Sequence, residues 1–424
     1  MSRDLAYHKT VLDNGLRVVT EKIPSARSVA VGVWIDVGSR DEHKEENGIS
    51  HFTEHMLFKG TKKRTAKEIA SYLEALGGTL NAFTSREQTC YHATVLDQHL
   101  PEAIEILSDI IMHSSLGKSS MEREKSVVAE EISEVDETPS DLIHELFSDC
   151  FWRGHPLGWP IMGSKETVRS FSREKIQDFM NKHYRAGRIV ISAAGNISHK
   201  RLTDMISKSL HFSPGETGRG EPAPTPNGFS MKFFRRKANQ THFCLGFPGI
   251  KFNHPMRNTI LALHTILGSG MSSILFQKIR EEKGIAYTVF TFPDFYRDNG
   301  LFGAYLAADK SRLHAAVEII LKEFQKIKKE RIENSKLDQL KSQMKGNLIL
   351  SMESTNGRMN RLGRNEILSG KYVPVKESIK NIDKIKSNDM IEAARELFKS
   401  ENMTITSLGA AGESDLKNVD WSLL

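Results

Sequence analysis

Near the middle of this chain lies a segment that neither a helix interior nor a central strand accommodates. Ser213 to Gly228 reads SPGETGRGEPAPTPNG and holds four of the thirteen prolines and four glycines. Proline removes a backbone donor and fixes φ, and glycine gives up conformational restraint, so the stretch is predicted to be a semi-extended connector. It splits the 424 residues into two halves of similar length, and the halves end alike. The first closes with a helical pattern over Glu174–His183 and the apolar run Arg188-Ile-Val-Ile-Ser-Ala-Ala-Gly195. The second closes with Asp389–Phe398 and Asn402-Met-Thr-Ile-Thr-Ser-Leu-Gly409. Gly195 and Gly409 stand 409 − 195 = 214 positions apart, as do Tyr184 and Phe398 (398 − 184 = 214). Matching helix–strand–Gly units at that offset predict one unit used twice. The expected organisation is domain 1–212, linker 213–230 and domain 231–424.

Each half mixes strands and helices. Gly15–Thr20 and Ser28–Val37 read as antiparallel strands with a turn at Pro24-Ser-Ala. Ala66–Leu76 carries Ile69, Leu73 and Leu76 at helical spacing, with Gly77-Gly78 as the stop. Thr79–Leu96 reads as two strands, and Pro101–Met112 and Ser120–Val135 as helices. Strands followed by helices that cover one face give an α+β class: two homologous α/β sandwich halves.

Composition removes several function classes. No run approaches the ~18 apolar residues of a membrane span. The N-terminus, Met1-Ser-Arg-Asp-Leu-Ala-Tyr-His-Lys, has no apolar core and carries Asp4, which fits neither a secretory signal nor a transit peptide. Three separated cysteines (Cys90, Cys150, Cys244) speak for a reducing compartment. A bacterial cytoplasmic protein is expected. The net charge of +6 comes from dispersed basic residues, with no zinc-finger spacing or ribonucleoprotein motif, so nucleic-acid binding is not expected.

The chemistry concentrates in His51-Phe52-Thr53-Glu54-His55, an H-x-x-E-H sequence. On a helix, His51 and His55 at i and i+4 project from one face, where two imidazoles can bind one zinc ion. Glu54 lies near that face and can take a proton from a water the metal acidifies. The alternative is a histidine pair on a helix that holds no metal. A catalytic zinc needs a third protein ligand. The helical run Glu122–Val135 offers acids above an apolar face of Val128, Ile132 and Val135, with Glu124 and Glu131 two turns apart. A solvated charged face is the ordinary fate of such a run.

The H-x-x-E-H order resembles that of the M16 (pitrilysin, or inverzincin) metallopeptidases. The resemblance runs through Asp13-Asn-Gly-Leu-Arg17, Gly32-Val-Trp-Ile-Asp-Val-Gly38-Ser-Arg, Gly77-Gly-Thr-Leu-Asn81-Ala-Phe-Thr and His155-Pro-Leu-Gly. His51–Thr61 (HFTEHMLFKGT) is similar to the mitochondrial-processing-peptidase branch. It implies a zinc endopeptidase with one Zn²⁺ per chain, held by His51, His55 and Glu131, with Glu54 as general base and Glu124 as a supporting acid. It implies that Leu80, Asn81, Ala82 and Phe83 lie on an edge strand that pairs with an extended peptide. The second half has no H-x-x-E-H. By resemblance, Arg280 and Tyr287, seven apart in Leu275–Tyr287, reach the substrate and can donate to a developing oxyanion. Taken alone, they read as a surface ion-pair arginine and a half-buried strand aromatic.

In the same branch an acid pair ten and fourteen residues beyond the third ligand recognises a substrate arginine, and the count lands on Asp141 and Glu145. They share a helical face, though the order of acid types is reversed relative to the branch. Thr138-Pro139-Ser140-Asp141 also reads as a helix start, with Asp141 closing a capping box on Thr138. The expected partners are peptides, and a homodimer is expected, with a different partner subunit left open. The rivals are a non-catalytic or partner-dependent subunit of a processing-peptidase-like complex and a basic nucleic-acid-binding protein.

Overall fold

The computed structural model describes residues 6–215, 222–226 and 228–424. Seven of the sixteen connector residues, 216–221 and 227, and the expectation of an extended linker there, lie outside the described residues; the other nine, with 222–226 among them, form no helix or strand.

The chain forms two compact units. The first comprises Met1–Ser133, Trp159–Glu221 and Leu350–Val373, and the second Glu134–Gly158, Pro222–Ile349 and Pro374–Leu424. These are not the linear segments 1–212 and 231–424. Two helices have changed places. Helix α5 (Pro139–Phe151), from the first half of the sequence, belongs to the second unit. Helix α12 (Thr355–Ser369), from the second half, belongs to the first.

The first unit holds a six-stranded sheet in the order β1-β2-β6-β3-β5-β4. Its strands are β1 (Ala6–Val11), β2 (Arg17–Lys22), β3 (Ser28–Ile35), β4 (Thr79–Thr84), β5 (Thr89–Leu96) and β6 (Ile189–Gly195). The turn predicted at Pro24-Ser-Ala does not make β2 and β3 neighbours. Strand β6 lies between them, parallel to β2 and antiparallel to β3. The sheet's helices are α1 (Ile49–Leu57), α2 (Ala66–Glu74), α3 (Leu100–His113), most of α4 (Lys118–Glu137), α6 (Lys165–Ser170), α7 (Arg173–His183) and α8 (His199–Ser209), with α12.

Strand β3 shows why both faces of this sheet are covered. Val29, Val31, Val33 and Ile35 join the core built with α1 and α3. Trp34 alternates to the other face, where its Nε1 donates to Ser192 Oγ (2.9 Å) and Ser192 Oγ donates to Met359 O of α12 (3.0 Å). Further bonds pin α12: an Arg358–Glu21 ion pair and Lys9 Nζ–Glu366 Oε1 at 2.7 Å.

The second unit repeats the order without the outermost strand: β7-β11-β8-β10-β9. These are β7 (Ser230–Arg235), β8 (Thr241–Pro248), β9 (Ala286–Phe295), β10 (Gly300–Ala308) and β11 (Thr404–Gly409). Strand β11 runs parallel to β7 and antiparallel to β8, as β6 runs to β2 and β3. The glycines that suggested the duplication end these equivalent strands with the same backbone, φ 139° at Gly195 and 140° at Gly409. The remaining helices are α9 (Arg257–Gly268), α10 (Lys310–Lys329), most of α11 (Asn334–Ser351), α13 (Val375–Asp383), α14 (Ser387–Leu397) and the single turn α15 (Glu413–Leu416). One sheet face packs Ile143, Phe147 and Phe151 of α5 on Cys244, Leu301, Tyr305 and Leu408. The other carries Phe247, Phe302, Phe324 and Phe398, with the last two rings stacked 4.3 Å apart.

Candidate metal centre

Helix α1 orients the motif by burying its other side. Ile49, Phe52, Met56 and Leu57 are fully buried in the first unit's core, which leaves His51, Glu54 and His55 on the half-buried face. The two imidazole centroids lie 4.4 Å apart, as i and i+4 positions require. Helix α4 is fixed the same way, through Met121, Val128 and Ile132. That face also buries Glu124 and leaves Glu131 partly exposed above it.

The two helices bring three donors together. Ligand atoms of His51, His55 and Glu131 all lie within 4.8 Å of one another. Glu131 Oε2 is 3.7 Å from His55 Nε2 and 4.0 Å from His51 Nε2. Such separations suit ligands that each sit about 2 Å from one zinc ion. The donor set fits too, because two imidazoles and a carboxylate are a zinc-type set with room for a further ligand. Burial, helped by the neighbouring His55, lowers the His51 pKa to about 4, so the ring is neutral, as a metal ligand must be.

Glu124 orients His55. It is buried, and its Oε1 accepts from His55 Nδ1 (2.8 Å) and from Lys59 Nζ (2.8 Å). Burial works against its ionisation, but these two bonds hold its carboxyl below the usual range. The proton therefore sits on His55 Nδ1, and the Nε2 lone pair is left toward Glu131. Burial pulls the His55 pKa down, and the Glu124 bond with the charges of Glu131, Glu124 and Glu54 more than reverses it.

Glu54 has a different environment. Burial raises its pKa, against the pull of a hydrogen bond from Thr84 Oγ1 to its Oε2. Thr84 ends β4, an edge strand of the sheet, so the carboxylate is tied to the strand that carries Leu80, Asn81, Ala82 and Phe83. Leu80 and Ala82 pack on the core, Asn81 is exposed, and Phe83 meets Trp34 edge-on at 5.5 Å.

The other site expectations fall in the second unit. Arg280 lies in a π-helical turn, Phe276–Glu282, a geometry that often marks functional positions. Its guanidinium covers the Tyr287 and Phe276 rings at 4.1 and 4.7 Å, and Nη1 donates to Tyr287 O (3.2 Å). Tyr287 is 72% exposed, on the edge strand β9. Asp141 and Glu145 occupy the first turns of α5. Thr138 makes no side-chain cap there, so the capping box predicted with Asp141 does not form.

Sequence reasoning passed over Glu42. It is buried, and burial pushes its carboxyl up to about 8 against hydrogen bonds from Ser50, Gly48 and Asn47. An acid seven residues before a helix reads as solvent-facing, and only the fold brings it to the helix start.

The family model described as Insulinase (Peptidase family M16) matches residues 17–165, and that of the Peptidase M16 inactive domain matches 170–344. The chain is 40% identical over 400 residues to an uncharacterized zinc protease, YmxG, of Bacillus subtilis, covering 94% of this chain and 97% of the relative. It is 38% identical over 415 residues to an uncharacterized zinc protease of Rickettsia felis, covering 97% and 98%. Among solved structures, a protease from Helicobacter pylori superposes with a TM-score of 0.89 at 23% identity, covering 96% of this chain and 99% of that one. A structure from Pseudomonas fluorescens described as a peptidase M16 inactive domain gives 0.90 at 18%, with the same coverage.

Proposed function

Since this chain belongs to peptidase family M16, we propose that it is a zinc-dependent endopeptidase that hydrolyses extended, unstructured peptides or presequence-like segments. The observation that carries the reading is the convergence of His51 and His55 of α1 with Glu131 of α4, beside Glu54 on the same face of α1.

Zinc, when bound, supplies Lewis acidity toward a peptide carbonyl and a water. The rest is work for the chain's own groups. His51, His55 and Glu131 would hold the ion, with His55 oriented by Glu124. Glu54 Oε2 is occupied by Thr84, which leaves Oε1 to take a proton from the attacking water and pass it to the leaving amine. Strand β4 presents an unpaired edge on which a peptide at Leu80–Phe83 can add as a strand, so that only unfolded segments qualify. Arg280 and Tyr287 are the donors assigned to the substrate carbonyl, a role supported by the exposure of Tyr287.

The proposal extends to a cytoplasmic, homodimeric enzyme that acts on peptides rather than nucleic acid. Its bacterial relatives support a bacterial source, and no described helix is long and apolar enough to cross a membrane. Incubation with a random peptide library, with and without chelator, tests the reading by mass spectrometry alongside metal analysis. About one zinc per chain and chelator-sensitive cleavage are expected. Absence of both would sink the assignment and leave the non-catalytic subunit.

A further inference from the structure

Helix α1, which carries two of the three metal-ligand candidates, begins unlike most helices of its unit. Helices α2, α7 and α8 are capped locally by Thr65, Ser172 and Ser198, whose side chains accept from the first turn. Helix α1 starts at Gly48, with φ 96° and no side chain to offer. No larger residue fits there, since a Cβ on Gly48 would stand 2.4 Å from Met162 O. A helix start leaves up to four N–H groups without partners. Here a carboxyl from outside the helix takes two of them. Glu42 Oε2 accepts from Gly48 N (2.7 Å) and Oε1 from Ser50 N (2.8 Å). Oε2 also accepts from Asn47 Nδ2 (2.9 Å), and the same amide donates to Pro160 O (3.0 Å). Glu42 is 3% exposed, so these bonds form out of reach of water.

The segment that delivers Glu42 is itself clamped. Arg40, 8% exposed, pairs with buried Glu87 at 2.7 Å, and Asp41 pairs with buried Arg188 at 2.7 Å. Ser39 N and Arg40 N donate to Ser85 O and Arg86 O, in the turn between β4 and β5. That turn directly follows Thr84, the partner of Glu54. One short loop therefore holds both ends of the reactive arrangement: the backbone next to His51 and the turn next to Thr84. A cap made by Ser or Thr stabilises a helix without burying an acid. A buried acid is an expensive replacement, and what it adds is a fixed position for the first turn of α1.

We propose that Glu42 is a positioning residue for the peptidase reaction: it seats the first turn of α1 and thereby sets where His51 and Glu54 stand. The proposal rests on the zinc-peptidase reading. Groups that hold metal ligands in place typically matter by about 10–100-fold, and the low end applies at one further remove. Glu42→Gln keeps the size but turns an amide NH₂ toward an N–H donor at one of the two oxygens.

The test compares wild type, Glu42→Gln and Ser198→Ala, which removes a cap from α8 in the same unit. Zinc release to a chromophoric chelator and the kcat and KM for a cleaved library peptide are read well below each melting temperature. Glu42→Gln is expected to release zinc about tenfold faster and to lose about tenfold in kcat with KM within about twofold, an outer-shell effect. Ser198→Ala is expected to lower the melting temperature alone. Release and kcat within about twofold of wild type for Glu42→Gln would overturn the proposal, and so would equal losses in Ser198→Ala. If Glu42→Gln does not fold, Glu42→Asp takes its place with the same readouts. If neither folds, the residue serves folding itself, and the positioning role is overturned. A wild type without zinc or cleavage would instead overturn the peptidase reading.

Discussion

The two units share a strand order but bury different things. The first buries Glu21, Arg40, Glu42, Glu87, Asp109, Glu124 and Arg188, most of them paired across its loops and helices. In the second, Glu323 is the only buried residue among the described Asp, Glu, Lys and Arg side chains, and phenylalanines fill its core. The contrast holds at equivalent positions. His183 and Tyr184, at the end of α7, correspond to Leu397 and Phe398 at the end of α14. His183 is tied to Arg188 (3.1 Å), and Arg188 to Asp41, where Leu397 is a buried apolar residue; the Tyr184 hydroxyl meets that of Tyr91 (3.1 Å), where Phe398 stacks on Phe324. Helix α9 precedes the edge strand β9 as α1 precedes β4. Where α1 links Glu54 to Thr84, α9 links His264 Nδ1 to Thr291 Oγ1 at 2.9 Å. Buried ions carry a desolvation penalty on the order of several kcal/mol each, while aromatic pairs add about 0.5–1.5 kcal/mol beyond their burial. The unit with the candidate ligands keeps the polar framework that fixes a donor set, and the unit without them has an apolar core.

The sharpest way to break this comparison is to move the chemistry out of the first unit. Glu54→Gln should keep zinc and lose about 10²–10⁴-fold in turnover, the usual worth of a general base. His264→Gln, at the equivalent helix of the second unit, should leave turnover within about twofold, far below that loss. Steady-state rates with metal analysis check both. If Glu54→Gln retains more than roughly a tenth of the activity, the base lies elsewhere. Glu131→Gln should lose the metal itself on dialysis, since a neutral amide is a poor ligand. Glu124→Gln should weaken retention only about 10–100-fold. Equal zinc content in wild type and Glu131→Gln would point instead to a neighbour such as Glu130 or Glu134.

The second unit is expected to act through substrate alone. Arg280→Ala and Tyr287→Phe should each reduce kcat on the order of 10–10³-fold with unchanged zinc content. A lower melting temperature with normal turnover of the folded fraction would reduce Arg280 to packing on the Phe276 and Tyr287 rings.

How much of this was legible depended on distance along the chain. Helix α1 could be read because both histidines and the glutamate fall within five residues, and a 3.6-residue period puts them on one face. Helix α4 could be read from its apolar stripe, but the choice of Glu131 among its acids came from resemblance, because period alone leaves several acids above that stripe. Strand order was hidden: β2 and β6 pair in parallel across some 170 residues, as the Arg17↔Val190 register shows, and no local pattern records such a partner. The exchange of α5 and α12 was hidden for a related reason. An amphipathic helix shows that it has an apolar face, and nothing in its pattern says which of two homologous sheets will cover it. Arg40 and Glu87 were invisible because charge is read as solvent exposure, the rule that a buried ion pair violates, and Glu42 because an acid is read the same way although burial here favours its neutral form.

A smaller effect concerns specificity. If Asp141 and Glu145 grip an arginine two residues before the scissile bond, matched Arg and Ala peptides should differ in cleavage rate. Asp141→Asn with Glu145→Gln should then abolish the preference while zinc and basal cleavage remain. Both residues are on α5, so the experiment also asks whether the helix transferred to the second unit brought a recognition role with it. An unchanged preference in the double variant would confine Asp141 and Glu145 to the surface of α5.

The smallest expected effect tests the polar framework by pH. Burial and the adjacent Arg188 lower the His183 pKa from 6.5 to about 4, with Asp41 opposing. Its folded value lies below its unfolded value, so on acidification the unfolded chain binds the proton first. The contribution of neutral His183 is thus complete above pH ~6.5 and is lost as pH falls toward ~4. His183→Gln can still accept from Arg188 but does not titrate. Its melting temperature should therefore fall less steeply than that of wild type between pH ~6.5 and ~4, and the two curves should run parallel above pH ~7. A Leu397→Gln variant in the second unit places the same amide in an apolar setting. It should lower stability by a similar amount at every pH, because there is no titrating group at that position to remove. Parallel curves for wild type and His183→Gln across the whole range would show that the ionic end of α7 and the aromatic end of α14 answer acid alike, and the contrast between the units would then not extend to their stability.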